Sequence, residues 1–304
     1  MSFLLLILYS LAALSVIISP NAICAYVVNS AVLLVFVVAT ALYIFRFSLF
    51  GSKEYTADML DGVEIIAHRG NSGHAPENSL QSVTDAMALG VDAVEVDVQM
   101  AADGELVVFH DAVLSGKTSL SGKLSQCTSE ELRCATLLCG EQDTAVHTIP
   151  MLADVLELVD GKCRLLIDVK CDNSNAEAVA KALINEVSLF GASSWVSVQS
   201  FNGRVLSEIH RLGHPFPLEK LFYFKIPFLP LAYDGKLTTF DYQKYDYISS
   251  FNFYYRLLVP SLVEDIHSHG KKVKMWTVDA PQKTPALHVD GVITDDALSW
   301  LNIE

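Results

Sequence analysis

From residue 63 onward, short apolar runs alternate with longer segments whose apolar residues recur every three or four positions, the marks of strand and amphipathic helix respectively. The runs predict strands at 64–67, 93–98, 164–169, 195–200, 221–224, 247–251, 272–278 and 291–294. Helices are predicted at 79–89, 151–159, 176–190, 204–212, 262–269 and 298–303. Capping-box spacings at Asn78 with Gln81, Thr128 with Glu131, Ser174 with Glu177 and Ser261 with Glu264 mark helix starts. Gly90, Gly191, Gly213 and Gly270 stand where helices should stop. Stretch 233–245 is short of apolar periodicity and 281–289 carries two prolines, so a damaged fifth and seventh helix is expected. Strands alternating with helices in this way predict an α/β fold, a TIM (β/α)8 barrel over 63–304. Residues 112–148 break the rhythm and form an insertion after the second strand, following a short strand at 106–109.

The polar pattern changes abruptly upstream. The first 45 residues carry no charged side chain, and stretches 3–19 and 25–45 are each about long enough to cross a bilayer. Pro20-Asn21 supplies a turn between them. We expect an N-terminal transmembrane helical hairpin in residues 1–50, joined to the barrel by a polar linker, 51–62. A cleaved signal peptide is the rival, but no basic residue precedes the apolar stretch. This makes the chain an integral membrane protein of an internal membrane or the plasma membrane. Arg46 and Lys53 after the second span favour a cytosolic catalytic domain. The absence of Asn-x-Ser/Thr sites and of a paired framework among Cys127, Cys134, Cys139, Cys163 and Cys171 agrees with that side. A lumenal or extracellular placement is the alternative.

The net charge of -14 excludes nucleic-acid binding through a basic surface. An acidic body would also be repelled by an anionic leaflet, so the lipid bilayer must be engaged through the apolar N-terminus.

Chemistry concentrates between residues 64 and 111. Glu95 and Asp97, two apart on a strand, face the same way. Burying both is costly unless a cation or proton neutralises them, which makes a shared divalent metal the natural partner. His68 and His110 each follow an apolar run, where a strand emerges from the core, and can supply one base and one acid. Asp168 and Lys170 repeat the two-residue spacing, adding an anion for the metal and a cation for the substrate. Each feature alone has a bland explanation: a strand-end histidine is often just a polar residue, and an Asp–Lys pair is often structural. Together they describe metal-assisted phosphodiester chemistry.

The same residues resemble the glycerophosphodiester phosphodiesterase family. The likeness rests on His68-Arg69-Gly70, Ala75-Pro76-Glu77-Asn78, Glu95-Val96-Asp97, His110-Asp111, Ile149-Pro150, Asp168-Val169-Lys170, Trp276-Thr277-Val278 and Asp290-Gly291-Val292-Ile293-Thr294-Asp295. With its apolar N-terminus and the run Leu166-Ile167-Asp168-Val169-Lys170 the chain looks more like the membrane-anchored eukaryotic members than the soluble bacterial ones. The resemblance implies Glu95, Asp97 and Asp168 as ligands of one divalent metal ion, Mg2+ or Ca2+. It implies Arg69 and Lys170 as contacts of the substrate phosphate, Glu77 as a further carboxylate at the rim, Trp276 as a substrate contact and Asn78 as a helix cap. The implied reaction is hydrolysis of glycerophosphodiesters to glycerol 3-phosphate and an alcohol. Rival expectations are a lysophospholipase D releasing lysophosphatidate from lysophospholipids or their N-acyl forms, and a catalytically silent membrane scaffold. The family's Asp-Arg-Thr run after His110-Asp111 is missing from 112–121. Phe222, Phe224 and Phe228, in the proline-rich run 215–231, are candidates for touching the bilayer.

Overall fold

The computed structural model describes Leu34 and residues 55–56, 59–138, 145–226, 229–281 and 287–303. The chain divides into two units, Met1–Lys53 and Glu54–Glu304. The expected membrane hairpin over residues 1–50 lies, Leu34 apart, outside the described residues. Among the described residues no helix is long and apolar enough to cross a membrane.

In the second unit the strands run β1 (Glu64–Ala67), β2 (Ala93–Met100), β3 (Leu106–Val108), β4 (Arg164–Val169), β5 (Val196–Ser200) and β6 (Leu218–Phe222). They continue with β7 (Phe224–Lys225), β8 (Leu231–Tyr233), β9 (Leu237–Thr239), β10 (Ser250–Tyr254), β11 (Lys272–Trp276) and β12 (Gly291–Thr294). Parallel pairing follows the order β1-β12-β11-β10-β6-β5-β4-β2, and β2 pairs again with β1, closing an eight-stranded barrel. The short β3 lies antiparallel on β2. The helices are α1 (Leu80–Leu89), α2 (Ser129–Arg133), α3 (Leu152–Val159), α4 (Ala176–Leu189), α5 (Gly203–Leu212), α6 (Pro260–Ser268) and α7 (Ala297–Leu301).

Alternation along the strands sorts the side chains. Val94, Val96, Val98, Leu165, Ile167 and Val169 pack outward into the main core with the helices. Each such side chain taken fully out of water contributes roughly 1.5–3 kcal/mol. Inward positions form layers. Ile66, Ala93, Leu166 and Ile293 make an apolar plug. Below it lies a charged floor, where Lys274 Nζ bonds Glu219 Oε1 at 2.7 Å and sits 3.1 Å from Glu64 Oε2. Asn252 bridges Glu219 and Gln199 across the same floor. The plug separates this floor from the acidic residues at the opposite end.

Two strand expectations shift, one by two to three residues toward the N-terminus and the other by three toward the C-terminus. The strand expected at 221–224 is Leu218–Phe222 and that expected at 247–251 is Ser250–Tyr254. Glu219, Lys220 and Asn252 read as loop residues, yet each is buried and hydrogen-bonded. Among the described residues between β6 and β10 no α-helix forms, and the antiparallel meander β7-β8-β9 stands where the fifth helix was expected. There Asp234 reaches back to the buried Lys220, 2.9 Å away. Among the described residues between β11 and β12 no α-helix forms either.

Three of the four expected caps are different residues. Ser79, not Asn78, caps α1, accepting from Ser82 N. Asn175 precedes α4 in place of Ser174, and α6 starts at Pro260, whose fixed φ suits a first helical turn. Thr128 and Glu131 form the expected reciprocal box. Tyr55, in the stretch expected to be a polar linker, is buried: its hydroxyl donates to Leu287 O and its ring packs edge-on to Trp300. The barrel's core therefore begins before Val63. Phe222 is also fully buried, among Phe240, Phe251 and Phe253, and cannot face a bilayer. The insertion carries its own core, with Leu114, Leu124, Leu132, Ala135 and Leu137 packed on Val107, Phe109 and Met151.

Candidate active site

At the C-terminal rim of β1, β2 and β4 the chain brings together most of the residues singled out above. Glu95, Asp97 and Asp168 are buried, at 1%, 1% and 4% exposure, and each offers a carboxylate oxygen within 4.8 Å of the others. Parallel register sets Asp97 directly beside Asp168. Lys170 Nζ lies 2.5 Å from Asp168 Oδ2 and 3.0 Å from Asp97 Oδ1. The second approach is an ion pair without hydrogen-bond alignment, since Asp97 Oδ1 and Asp168 Oδ1 are both buried with no hydrogen-bond partner.

The electrostatics follow from this crowding. Burial, reinforced by the neighbouring Asp97, pushes Glu95 up to about 7. Burial acts on Asp97 too, but Lys170 and Arg69 outweigh it and hold that carboxyl at about 2. Burial raises Asp168 despite Lys170. Charge on Glu95 is disfavoured as long as no further cation joins the cluster, and two carboxylate oxygens have lone pairs unmet. That oxygen-rich donor set fits a hard divalent cation. Glu95, Asp97 and Asp168 are the residues that would hold it.

The His68-Arg69-Gly70 turn is built against this cluster. Arg69 and Gly70 have φ of 55° and 77°. A Cβ on Gly70 would come 2.4 Å from Ser82 Oγ and 2.5 Å from the Ser82 carbonyl carbon, so only glycine lets the turn close on α1. The Arg69 amide donates to Glu95 Oε2 at 2.9 Å. Its guanidinium bonds Glu77 Oε2 through Nη1 at 2.8 Å and places Nε 3.1 Å from Asp97 Oδ2. Glu77 thus faces cations, Lys117 and Arg69, which outweigh its partial burial and keep its carboxyl low. It lies outside the acid triad.

Each histidine leans on a carboxylate through Nδ1. His68 Nδ1 is 2.6 Å from Asp295 Oδ1, and His110 Nδ1 is 2.7 Å from Asp111 Oδ1. For His68 this bond, with the charge of Glu95, overcomes burial and raises the pKa. The Asp295 carboxylate is itself fixed by Ser72 Oγ, and its amide by Asp279 Oδ1. Nε2 of His68 turns toward Glu95, 4.0 Å away.

Sequence reasoning missed these supports. Asn78, taken for a cap, is buried with φ 60°; Nδ2 donates to Asp97 Oδ2 and Oδ1 accepts from the Asp97 amide. Asp111 could have been found from its place beside His110. Asp295 is 227 residues from His68 and meets it only through β1–β12 closure. Lys117, in the segment lacking the Asp-Arg-Thr run, reaches Glu77 Oε1 at 2.9 Å. Trp276, the last residue of β11, packs on the apolar plug and has its ring within 5.5 Å of those of Phe201, Tyr223 and Tyr254. Lys170 Nζ is 6.0 Å from the Phe201 ring centre, linking the aromatic wall to the charged cluster.

A βα barrel with acids, cations and carboxylate-held imidazoles converging at the strand ends is the frame of a phosphoric diester hydrolase. Residues 68–299 match the model of the Glycerophosphoryl diester phosphodiesterase family, and the chain belongs to that family. A curated relative, the glycerophosphodiester phosphodiesterase of Caldanaerobacter subterraneus subsp. tengcongensis, is 30% identical over 245 residues, covering 79% of this chain and 96% of its own. Two solved structures share the fold. One is a glycerophosphodiester phosphodiesterase from Parabacteroides distasonis, with TM-score 0.63 at 24% identity over 77% of this chain and 93% of that one. The other is an Oleispira antarctica phosphodiesterase in complex with the product sn-glycerol-3-phosphate, with TM-score 0.66 at 23% identity over 78% and 95%.

Proposed function

We propose that the chain hydrolyses glycerophosphodiesters to glycerol 3-phosphate and an alcohol, using one divalent ion, Mg2+ or Ca2+, on Glu95, Asp97 and Asp168. The carrying observation is the buried acid triad, with oxygens within 4.8 Å of one another and two lacking hydrogen bonds. The ion, when bound, supplies Lewis-acid charge to the phosphate oxygens. Arg69 and Lys170 bind and orient the diester anion, Arg through its fork and Lys as a point charge. With Nδ1 held by Asp295 and by Asp111, Nε2 is the atom through which His68 and His110 exchange a proton, bare on the base and protonated on the acid. One histidine takes a proton from the nucleophile and the other gives one to the leaving alkoxide. The name of the Caldanaerobacter relative and the product held by the Oleispira structure support the substrate class.

A second reading, lysophospholipase D, is favoured by the aromatic wall of Phe201, Tyr223, Tyr254 and Trp276, which offers an acyl chain a surface beside the charged cluster. The purified enzyme should be given glycerophosphodiesters and lysophospholipids, with chelator and with Mg2+ or Ca2+ restored. Glycerol 3-phosphate that depends on the ion supports the first reading; lysophosphatidate alone supports the second. No product from either class would leave the silent scaffold.

We propose further that the chain is membrane-anchored, a reading supported by the 45 leading residues without a charge. Protease protection of the catalytic unit in sealed vesicles tests the cytosolic side, and extraction of the protein by carbonate would sink the anchor.

A further inference from the structure

The geometry points to Lys117 as a positioning residue: through Glu77 it couples the insertion to the arginine that grips the phosphate. The inference rests on the reading that Arg69 binds that phosphate. Lys117 belongs to the insertion, and its backbone is fixed there. Its amide donates to Leu114 O and its carbonyl accepts from Leu138 N at 2.8 Å. The neighbours Leu114 and Thr118 are buried, at 0% and 4% exposure. From this anchored turn the side chain leaves the insertion and crosses to the barrel, where Nζ bonds Glu77 Oε1 at 2.9 Å. The other oxygen of Glu77 bonds Arg69 Nη1 at 2.8 Å.

Glu77 is therefore shared between two cations. Were Lys117 absent, its carboxylate would answer to Arg69 alone and be free to swing with it. With Lys117 in place, Glu77 is held from the insertion side, Nη1 of Arg69 spends one N–H on Glu77, and Nε lies 3.1 Å from Asp97 Oδ2 as an ion pair without hydrogen-bond alignment. That leaves both N–H groups of Nη2 and the second N–H of Nη1 as donors for a phosphate oxygen, on the edge of the fork turned away from Glu77. The insertion thus sets the direction of the fork without touching the substrate. No motif marks this role, because the chain lacks the family's Asp-Arg-Thr run here.

Lys117 is half-exposed, and exposed pairs are worth little, so the expected effect is small: about two- to fivefold in kcat/KM. K117M, K117R, E77Q and K117M/E77Q should be compared on glycerophosphocholine, and for affinity toward inorganic phosphate in the same divalent-ion buffer. Melting temperatures confirm that each variant is folded; K117R retains the charge should K117M melt early. The expected result is a loss in K117M that K117R largely restores, that vanishes in the E77Q background, and that shrinks at high salt. An undiminished K117M effect in E77Q protein would mean that Lys117 meets the substrate itself, and the inference falls. It falls equally if K117M matches the parent in turnover and phosphate affinity. A parent silent on the diester but with phosphate affinity that still depends on Lys117 through Glu77 would overturn the proposed substrate and leave the coupling standing.

Discussion

His68 and Asp295 are joined by a 2.6 Å contact between Nδ1 and Oδ1. The residue that follows the last barrel strand thus orients the histidine that follows the first. Replacing Asp295 by Asn keeps the shape but presents an amide whose NH2 competes with Nδ1–H. D295N should lower kcat by about ten- to a hundredfold with KM nearly unchanged, the usual cost of losing an orienting carboxylate. Steady-state kinetics on a glycerophosphodiester check this; a change confined to KM would show that Asp295 acts on binding.

Asn78 holds Asp97 by both ends of its amide. N78A should weaken divalent-ion affinity by about ten- to a hundredfold, as expected when a residue orienting a ligand is lost. Calorimetric titration with Mg2+ or Ca2+ reads it directly. N78D should be worse, because it sets another anion against Asp97.

Gly70 admits no side chain. G70A places a methyl against the Ser82 backbone at a φ of 77°, and we expect a loss of about 2–4 kcal/mol in urea unfolding together with loss of turnover. Gly90 has a similar φ of 79° but open space around it, so G90A should cost only about 1 kcal/mol.

Lys220 predicts a pH dependence of stability. Burial, opposed by Asp234, pulls its ammonium from 10.5 down to about 8. Below pH 8 the group is charged in both folded and unfolded chains, and burying that charge costs stability. As pH rises from 8 to 10.5 the folded form loses the proton while the unfolded chain keeps it, so this group's contribution to stability rises across that window. At about 1.4 kcal/mol per pH unit it reaches roughly 3 kcal/mol. Unfolding curves of the parent against K220M/D234N, taken from pH 7 to 10.5, should converge or cross in that direction; parallel curves would refute it.

Much of this molecule is legible from residue order because barrel strands with apolar outer faces carry their own signal. The bounds of Glu64–Ala67, Arg164–Val169 and Gly291–Thr294 agree with the pattern. The displaced strands are those holding Glu219, Lys220 and Asn252, whose burial is made tolerable only by partners on other strands or the meander. Local pattern cannot see such partners. The acids, the cations and the two histidines were legible as types at a spacing. Their supports were not, because Asn78 had a plausible local use and Asp295 and Lys117 act across gaps that only the closed barrel and the packed insertion bridge.

The pairing of β1 with β12 has a consequence for how this enzyme is made. A nascent chain emerging from the ribosome displays His68, Glu95, Asp97 and Asp168 long before Asp295 has been added. The carboxylate that holds Nδ1 is thus added 227 residues after the imidazole it holds, and a product cut short just before residue 295 would carry both histidines and all three buried acids with His68 left unheld.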